Sequence, residues 1–206
     1  MKRFFLIVAI LIGLTAGILW VLSPKPVTDL DAPGKYCAFC DCHVLNHQKF
    51  YEDDLVIALC TYRPISAGHC LIIPKRHVLR YEQLTDVEML RVSQVIKKVN
   101  AAANQIYHNP AYIIYQKNGY QAGQSVPHVH FHYLPRQNSD NCLFTFFIQA
   151  WMAELMPAQT YEEMQPSIEA LHNAISTNLR HCLDVSCRRD MLDGAVAQSS
   201  PSRDHP

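Results

Sequence analysis

Apolar and polar positions alternate most strictly over residues 128–134, where His128, His130 and His132 interleave with Val129, Phe131 and Tyr133 ahead of Leu134. Period two is the spacing of a β-strand, so the three imidazoles share one face and the apolar side chains the other. Two further strand-like runs, Phe50-Tyr51 and residues 55–59, flank a polar Glu-Asp-Asp turn and predict a hairpin. Residues 69–74 predict a short buried strand after the loop 63–68, and residues 111–115 predict another. Between these two the period changes. Val92, Val95, Ile96, Val99, Ala102, Ala103 and Ile106 recur at helical spacing, with Arg91, Lys97 and Lys98 at polar positions. Thr85 and Glu88 have capping-box spacing, so a long helix starts there and stops before Asn109-Pro110.

The ends of the chain follow different patterns. Residues 4–22 carry no charge, follow Lys2 and Arg3, and place Trp20 near their far end, which predicts a single membrane-spanning helix. A cleaved signal peptide is the competing reading. The run is long for the apolar core of a signal peptide, however, and no small-x-small cleavage site follows it. The basic flank would leave the N-terminus in the cytoplasm, but Lys25 and Lys35 blunt that bias and leave the side of the membrane open. Prolines and turn formers mark 24–35 as a linker. Cys142 to Met156 is apolar and aromatic, suited to packing on the domain, a dimer contact or the membrane. Pro166 to Leu179 predicts an amphipathic helix, and the polar stretch from 192 predicts a disordered tail. The expected organisation is thus an anchor at 1–23, a linker at 24–35, a domain at 36–137, a partly helical extension at 138–191 and a tail at 192–206.

A formal net charge of zero, with only 17% charged residues, gives no basic field for nucleic acid and no acidic field for a basic partner. The chemistry must come from local clusters. One histidine on a strand is ordinary, whereas three at period two beside a glycine-containing loop form a titratable cluster of the kind found at functional sites. In that loop, residues 118–125, Gly119 and Gly123 permit the positive φ and close backbone approach that a phosphate cradle needs. Upstream, Cys37-Ala-Phe-Cys40 is a metal half-site, a redox pair or chance. Cys42, His43 and His47 offer a local completion of a metal site, and a disulfide is the other alternative. Cys60 and Cys70 sit among apolar residues and read as small buried hydrophobes, while Cys142, Cys182 and Cys187 show no interpretable spacing.

The run from His128 to Leu134, the stretch Pro64-Ile-Ser-Ala-Gly68-His69 with Pro74-Lys75, the loop and the C-x-x-C together resemble the histidine-triad (HIT) family over residues 36–137. The resemblance implies an α+β fold, an antiparallel sheet with the long helix packed on it, commonly as a homodimer. It implies a nucleotide substrate, such as a dinucleoside polyphosphate or a nucleoside phosphoramidate, cleaved at the α-phosphate. His130 would attack phosphorus to form a nucleotidyl-histidine, and water would release the nucleoside monophosphate. His132 and His69 would stabilise the phosphoryl oxygens, Gly123, Gln124 and Ser125 would hold phosphate or leaving group, and Asn118 would add a polar contact. Cys37, Cys40, His77 and His128 would form a structural zinc site. One departure is Thr61, which stands where many relatives place an acidic residue or asparagine on the ribose hydroxyls. A nucleotide-binding sensor or scaffold with little turnover and a zinc-binding structural protein are the alternatives.

Overall fold

A computed structural model of the chain describes residues 36–108, 111–136 and 143–178, together with Gly13. Five strands, β1 (Lys49–Glu52), β2 (Val56–Cys60), β3 (Cys70–Pro74), β4 (Tyr112–Gln116) and β5 (Phe131–Pro135), form one sheet in the order β1-β2-β3-β5-β4. Every pairing in it is antiparallel. The helices are α1 (Cys42–Gln48), α2 (Asp86–Tyr107), α3 (Leu143–Leu155) and α4 (residues 161–178).

The β1–β2 hairpin turns on Asp53, whose Oδ1 accepts the N–H groups of Leu55 and Val56, each at 3.0 Å. Its Oδ2 receives Arg91 Nε of α2 at 2.8 Å, so the same carboxylate ties the hairpin to the helix. Alternation then sorts the sheet into two faces. Val56, Ala58, Cys60, Cys70, Ile72, Phe131 and Tyr133 pack against Val92, Val95, Val99, Ala102 and Ala103 of α2 and against Met164, Leu171 and Ile175 of α4. Cys60 and Cys70 are therefore core residues, and burial pushes the Cys60 thiol up to about 12. On the other face Ile57, Leu59, Leu71 and Ile73 pack with Cys37 and Phe39 of the N-terminal knuckle. Because Leu71 pairs with His132 across β3 and β5, the histidine face is this second one.

Both halves of the α2 capping box form: Thr85 Oγ1 accepts from Glu88 N–H at 3.3 Å, and the Glu88 carboxylate accepts from Thr85 N–H at 2.8 Å. The helix closes through His108, in the left-handed conformation with φ 51°. Asn109-Pro110, expected to stop it, lie outside the described residues. Helix α4 begins five residues ahead of Pro166, because Thr160 and Glu163 make a second capping box, Thr160 N–H to Glu163 at 2.8 Å and Glu163 N–H to Thr160 Oγ1 at 3.3 Å. The apolar stretch after Cys142 is the helix α3, with Phe147, Trp151, Leu155 and Met156 exposed.

The expectation of a single-pass membrane location is corrected. Among the described residues no helix is long and apolar enough to cross a membrane. The apolar α3 has 13 residues and reaches only about 20 Å, short of the ~30 Å hydrocarbon core. The longer α2 carries Asp86, Glu88, Arg91, Lys97 and Lys98. Residues 4–22, on which the expectation rested, lie outside the described residues apart from Gly13, as do the linker at 24–35 and the tail at 192–206.

Candidate active site

Strand β5 starts at Phe131, so His128 and His130 precede it. Their alternation holds because Val129 donates its N–H to Val78 O at 2.7 Å and, with Phe131 and Tyr133, is buried on the α2 side. The three imidazoles are left on the opposite face. His130 and His132 pack edge to face with centroids 5.0 Å apart. His69, at the start of β3, joins them with Nε2 3.0 Å from His132 Nδ1.

The hydrogen-bond partners decide which nitrogen of each ring carries the proton. His130 Nδ1 lies 2.7 Å from His128 O and must donate to that carbonyl, which leaves Nε2 with its lone pair. His69 Nδ1 accepts the N–H of Ile65 at 3.1 Å, so His69 donates through Nε2 to His132 Nδ1. The remaining proton of His132 then sits on its Nε2. All these rings are held neutral. Burial, then the fields of His130 and Lys117, lowers His69 to about 3, and burial with the neighbouring histidines and Lys117 lowers His132 to about 2. His130 is lowered by burial against the opposing pull of the His128 carbonyl.

A second cluster adjoins this one. One ligand atom each from Cys37, Cys40, His77 and His128 lie within 4.8 Å of one another. Cys37 Sγ is 3.5 Å and Cys40 Sγ 3.7 Å from His128 Nδ1, and Cys40 Sγ is 3.1 Å from His77 Nδ1. His128 donates through Nε2 to Pro74 O at 2.9 Å, which turns the lone pair of Nδ1 toward the thiols. Burial and the adjacent Cys40 push Cys37 up to about 12, so two thiolates here require a cation between them. The donor set of two sulfurs and two imidazole nitrogens fits a tetrahedral zinc site. Both cysteines are free thiols. Among the described residues no ligand cluster includes Cys42, His43 or His47. The two imidazoles stack instead against each other and Tyr161, with His47 and Tyr161 centroids 4.4 Å apart.

The residues expected to hold phosphate divide into two groups. Gly119 and Gly123 take φ of 94° and 81°, as the loop requires. The Gly123 N–H, however, donates to Tyr120 O at 2.7 Å, and the Gln124 N–H to Gly119 O at 3.2 Å. The buried Gln124 side chain braces the loop, accepting from Gly119 N–H and donating to Leu79 O and Val126 O. Asn118 accepts from Tyr81 N–H and donates to Glu82. These bonds hold the loop in shape beside the histidines. Ser125 is exposed and takes no part in the loop's internal bonding among the described residues. Thr61 is buried at the end of β2, where Oγ1 accepts weakly from Arg63 N–H at 3.4 Å.

Sequence reasoning missed the cleft beside the triad. About 450 Å³ in volume, it is lined by Ala38, Phe39, Val44, Tyr62, Val126 and Tyr161, among others. Phe39 packs edge to face on both His130 and His128, at 5.3 and 5.9 Å, so one wall of the cleft touches the histidine cluster. Phe39 lies inside the C-x-x-C, whose spacing carries no signal of where its ring packs. Tyr115 stacks on His132 at 4.2 Å and 12°.

An antiparallel sheet with three neutral histidines on one face, a thiol-imidazole cluster beside them and an apolar cleft defines a histidine-triad architecture. The HIT domain family model matches residues 43–139, beginning just past Cys40. An uncharacterized HIT-like protein of Methanocaldococcus jannaschii is 33% identical over 114 residues, 53% of this chain and 86% of that protein. The chain belongs to the HIT family. A bis(5'-nucleosyl)-tetraphosphatase [asymmetrical] of Schizosaccharomyces pombe is 38% identical over 93 residues, 45% of this chain and 51% of the relative, so the match spans about half of that enzyme. Other relatives include an adenosine 5'-monophosphoramidase, and the relatives named by activity are thus nucleotide hydrolases. Among solved structures, a zinc-bound histidine triad family protein of Mycobacterium smegmatis aligns with a TM-score of 0.55 at 23% identity, over 70% of this chain and 96% of that one, and supports the fold.

Proposed function

We propose that this chain is a nucleotide hydrolase that cleaves at the α-phosphate of a nucleotide conjugate, a dinucleoside polyphosphate or nucleoside phosphoramidate, by way of a nucleotidyl-His130 intermediate. The observation that carries the reading is the His130 ring, buried, neutral and with Nδ1 committed to the His128 carbonyl, so that Nε2 offers a lone pair. The nucleoside occupies the cleft along Phe39, Tyr62 and Tyr161, a volume ordinary for a small-molecule site.

His130 Nε2 forms a bond to the α-phosphorus as the bond to the leaving group breaks. The leaving group takes the bonding electrons: a polyphosphate departs as its anion, and an amine takes a proton from solvent. His132 presents its Nε2–H to the phosphoryl oxygens, held in that tautomer by His69. Water then attacks phosphorus and gives up a proton to solvent, the nitrogen–phosphorus bond breaks with its electrons returning to His130, and nucleoside monophosphate departs. Ser125, exposed beside the histidines, would meet the phosphates. Cys37, Cys40, His77 and His128 would hold a structural zinc, whose contribution is to fix the knuckle against the catalytic segment and not to polarise substrate. The homodimer implied by the resemblance belongs to this reading, since β4 is an edge strand with Tyr112 and Ile114 exposed.

The test is incubation of wild type and His130→Ala with dinucleoside polyphosphates, adenosine phosphoramidate and nucleoside-sugar phosphates. Wild type should release nucleoside monophosphate from at least one of them, and His130→Ala should lose about 10⁴-fold or more in rate. Phosphorus-labelled nucleotide should be trapped on wild type alone. Absence of product from every substrate sinks the hydrolase reading and leaves a binding module.

A further inference from the structure

Lys117 follows β4 directly, at the mouth of the loop that leads to the histidines, and it is half-buried. Its side chain runs along Gly123: a Cβ added to that glycine would meet Nζ, Cδ and Cε at 3.5, 3.6 and 3.8 Å. Its ammonium lies 5.8 Å from the centroid of Tyr115, the ring stacked on His132. Its field reaches His69, His130 and His132 alike. The cations Lys49, Arg63, Lys75, Arg76, Arg80 and Arg91 pair with carboxylates, and among the described residues Lys117 has no such partner. Glu154, whose charge also reaches Tyr115, is engaged by Arg63 at 3.6 Å.

A partly desolvated ammonium without a counter-ion, beside neutral rings, is an arrangement that awaits an anion. The other groups in the site are neutral, so one positive charge distinguishes substrates by the charge of their leaving group. We infer that Lys117 binds the phosphates beyond the scissile bond and so selects nucleotide conjugates whose leaving group is a polyphosphate over those whose leaving group is an uncharged amine. Lysine suits this task as a mobile point charge, able to follow a flexible phosphate chain. The inference rests on the proposed hydrolase reading and narrows its substrate class.

The experiment compares diadenosine tetraphosphate with adenosine phosphoramidate on wild type, Lys117→Gln and Lys117→Arg. Lys117→Gln should raise KM for the tetraphosphate about 10- to 100-fold with a smaller change in kcat, and should shift phosphoramidate kinetics by less than about threefold. Lys117→Arg should restore most of the loss, and the salt dependence of KM for the tetraphosphate should flatten in Lys117→Gln. Equal losses on both substrates, or none, overturn the inference. The same comparison made by calorimetric binding in a His130→Ala background separates the two claims. If wild type hydrolyses neither of these two substrates, the binding arm decides Lys117 by itself, and the hydrolase reading stands or falls on the wider substrate panel. No measurable binding of the tetraphosphate, or equal binding with and without the Lys117 charge, refutes it.

Discussion

His69 donates to His132 across 3.0 Å, and this single contact joins two segments 63 residues apart in the chain. It is directional. The Ile65 N–H occupies His69 Nδ1, so the proton between the two rings can reside only on His69 Nε2. His132 is thereby held as the Nε2–H tautomer while Tyr115 covers one of its faces. The pair works as a buried neutral relay in which protonating either ring destroys the bond pattern.

Stability should therefore decline in mild acid. Burial and neighbouring charge lower His69 to about 3 and His132 to about 2, from 6.5 in the unfolded chain. Between about pH 6.5 and 3 the unfolded state binds more protons than the folded state. The contribution of these rings is thus complete above about 6.5 and is lost progressively as pH falls through that window. Each ring contributes a slope of up to about 1.4 kcal/mol per pH unit. Urea midpoints measured from pH 7.5 to 5 should fall in wild type and fall less steeply in His69→Phe. Equal slopes in the two proteins would contradict the assignment of the pair.

Removing the proposed zinc should loosen the fold before it touches the chemistry. Cys37, Cys40, His77 and His128 connect the knuckle to β3's exit and to the segment entering β5, so their loss uncouples Phe39 from His130. Purified protein should carry one zinc per chain by elemental analysis, and Cys37→Ser/Cys40→Ser should carry none, with Tm lower by roughly 10 °C. Residual turnover at low temperature should survive. A wild-type mass 2 Da below that of the reduced chain, with no zinc, would identify a disulfide instead.

What was legible in the sequence is what depends on local spacing. The alternation at 128–134 placed three imidazoles on one face, Thr85 and Glu88 marked the start of α2, and the Glu-Asp-Asp turn marked the hairpin that Asp53 organises. Resemblance added His69, which spacing alone could not connect to His132. Side-chain destinations were not legible. Asn118 and Gln124 have the donors and acceptors a ligand site needs, but those groups meet Tyr81, Glu82, Leu79 and Val126 through folding of the loop. The cleft was invisible because Phe39, Tyr62 and Tyr161 come from three segments that only tertiary packing assembles. The start of α4 is written in Thr160 and Glu163, which repeat the spacing of Thr85 and Glu88, whereas the Pro166 signal lies six residues past that cap.

Tyr115 should act on His132 through its ring face. The two planes lie 12° from parallel with centroids 4.2 Å apart, and β4–β5 pairing places the residues directly opposite each other. Tyr115→Phe keeps the stack and should leave kcat/KM within about twofold. Tyr115→Ala removes it and should lower kcat/KM about 3- to 10-fold, in line with the ~0.5–1.5 kcal/mol of an aromatic pair. Equal kinetics for the alanine and phenylalanine variants would show that the ring does not position His132.

Gly68 should tolerate no side chain. Its φ is 80°, and an added Cβ would fall 2.5 Å from Tyr107 Cε2 and 2.9 Å from Pro135 Cγ. The first figure is a collision with the partly buried ring of Tyr107 at the end of α2, and the second with the ring of the last residue of β5, so at least one of these side chains must shift. Gly68→Ala adds the left-handed backbone penalty of about 1–2 kcal/mol to overpacking of about 1–3 kcal/mol, for an expected loss of roughly 2–5 kcal/mol. His69 follows directly, so the same substitution should displace its ring from His132 and reduce kcat more than the stability loss alone explains. Urea denaturation and single-turnover kinetics on the folded fraction separate the two effects. A Gly68→Ala protein of wild-type stability would show that the close approach to Tyr107 does not constrain this turn.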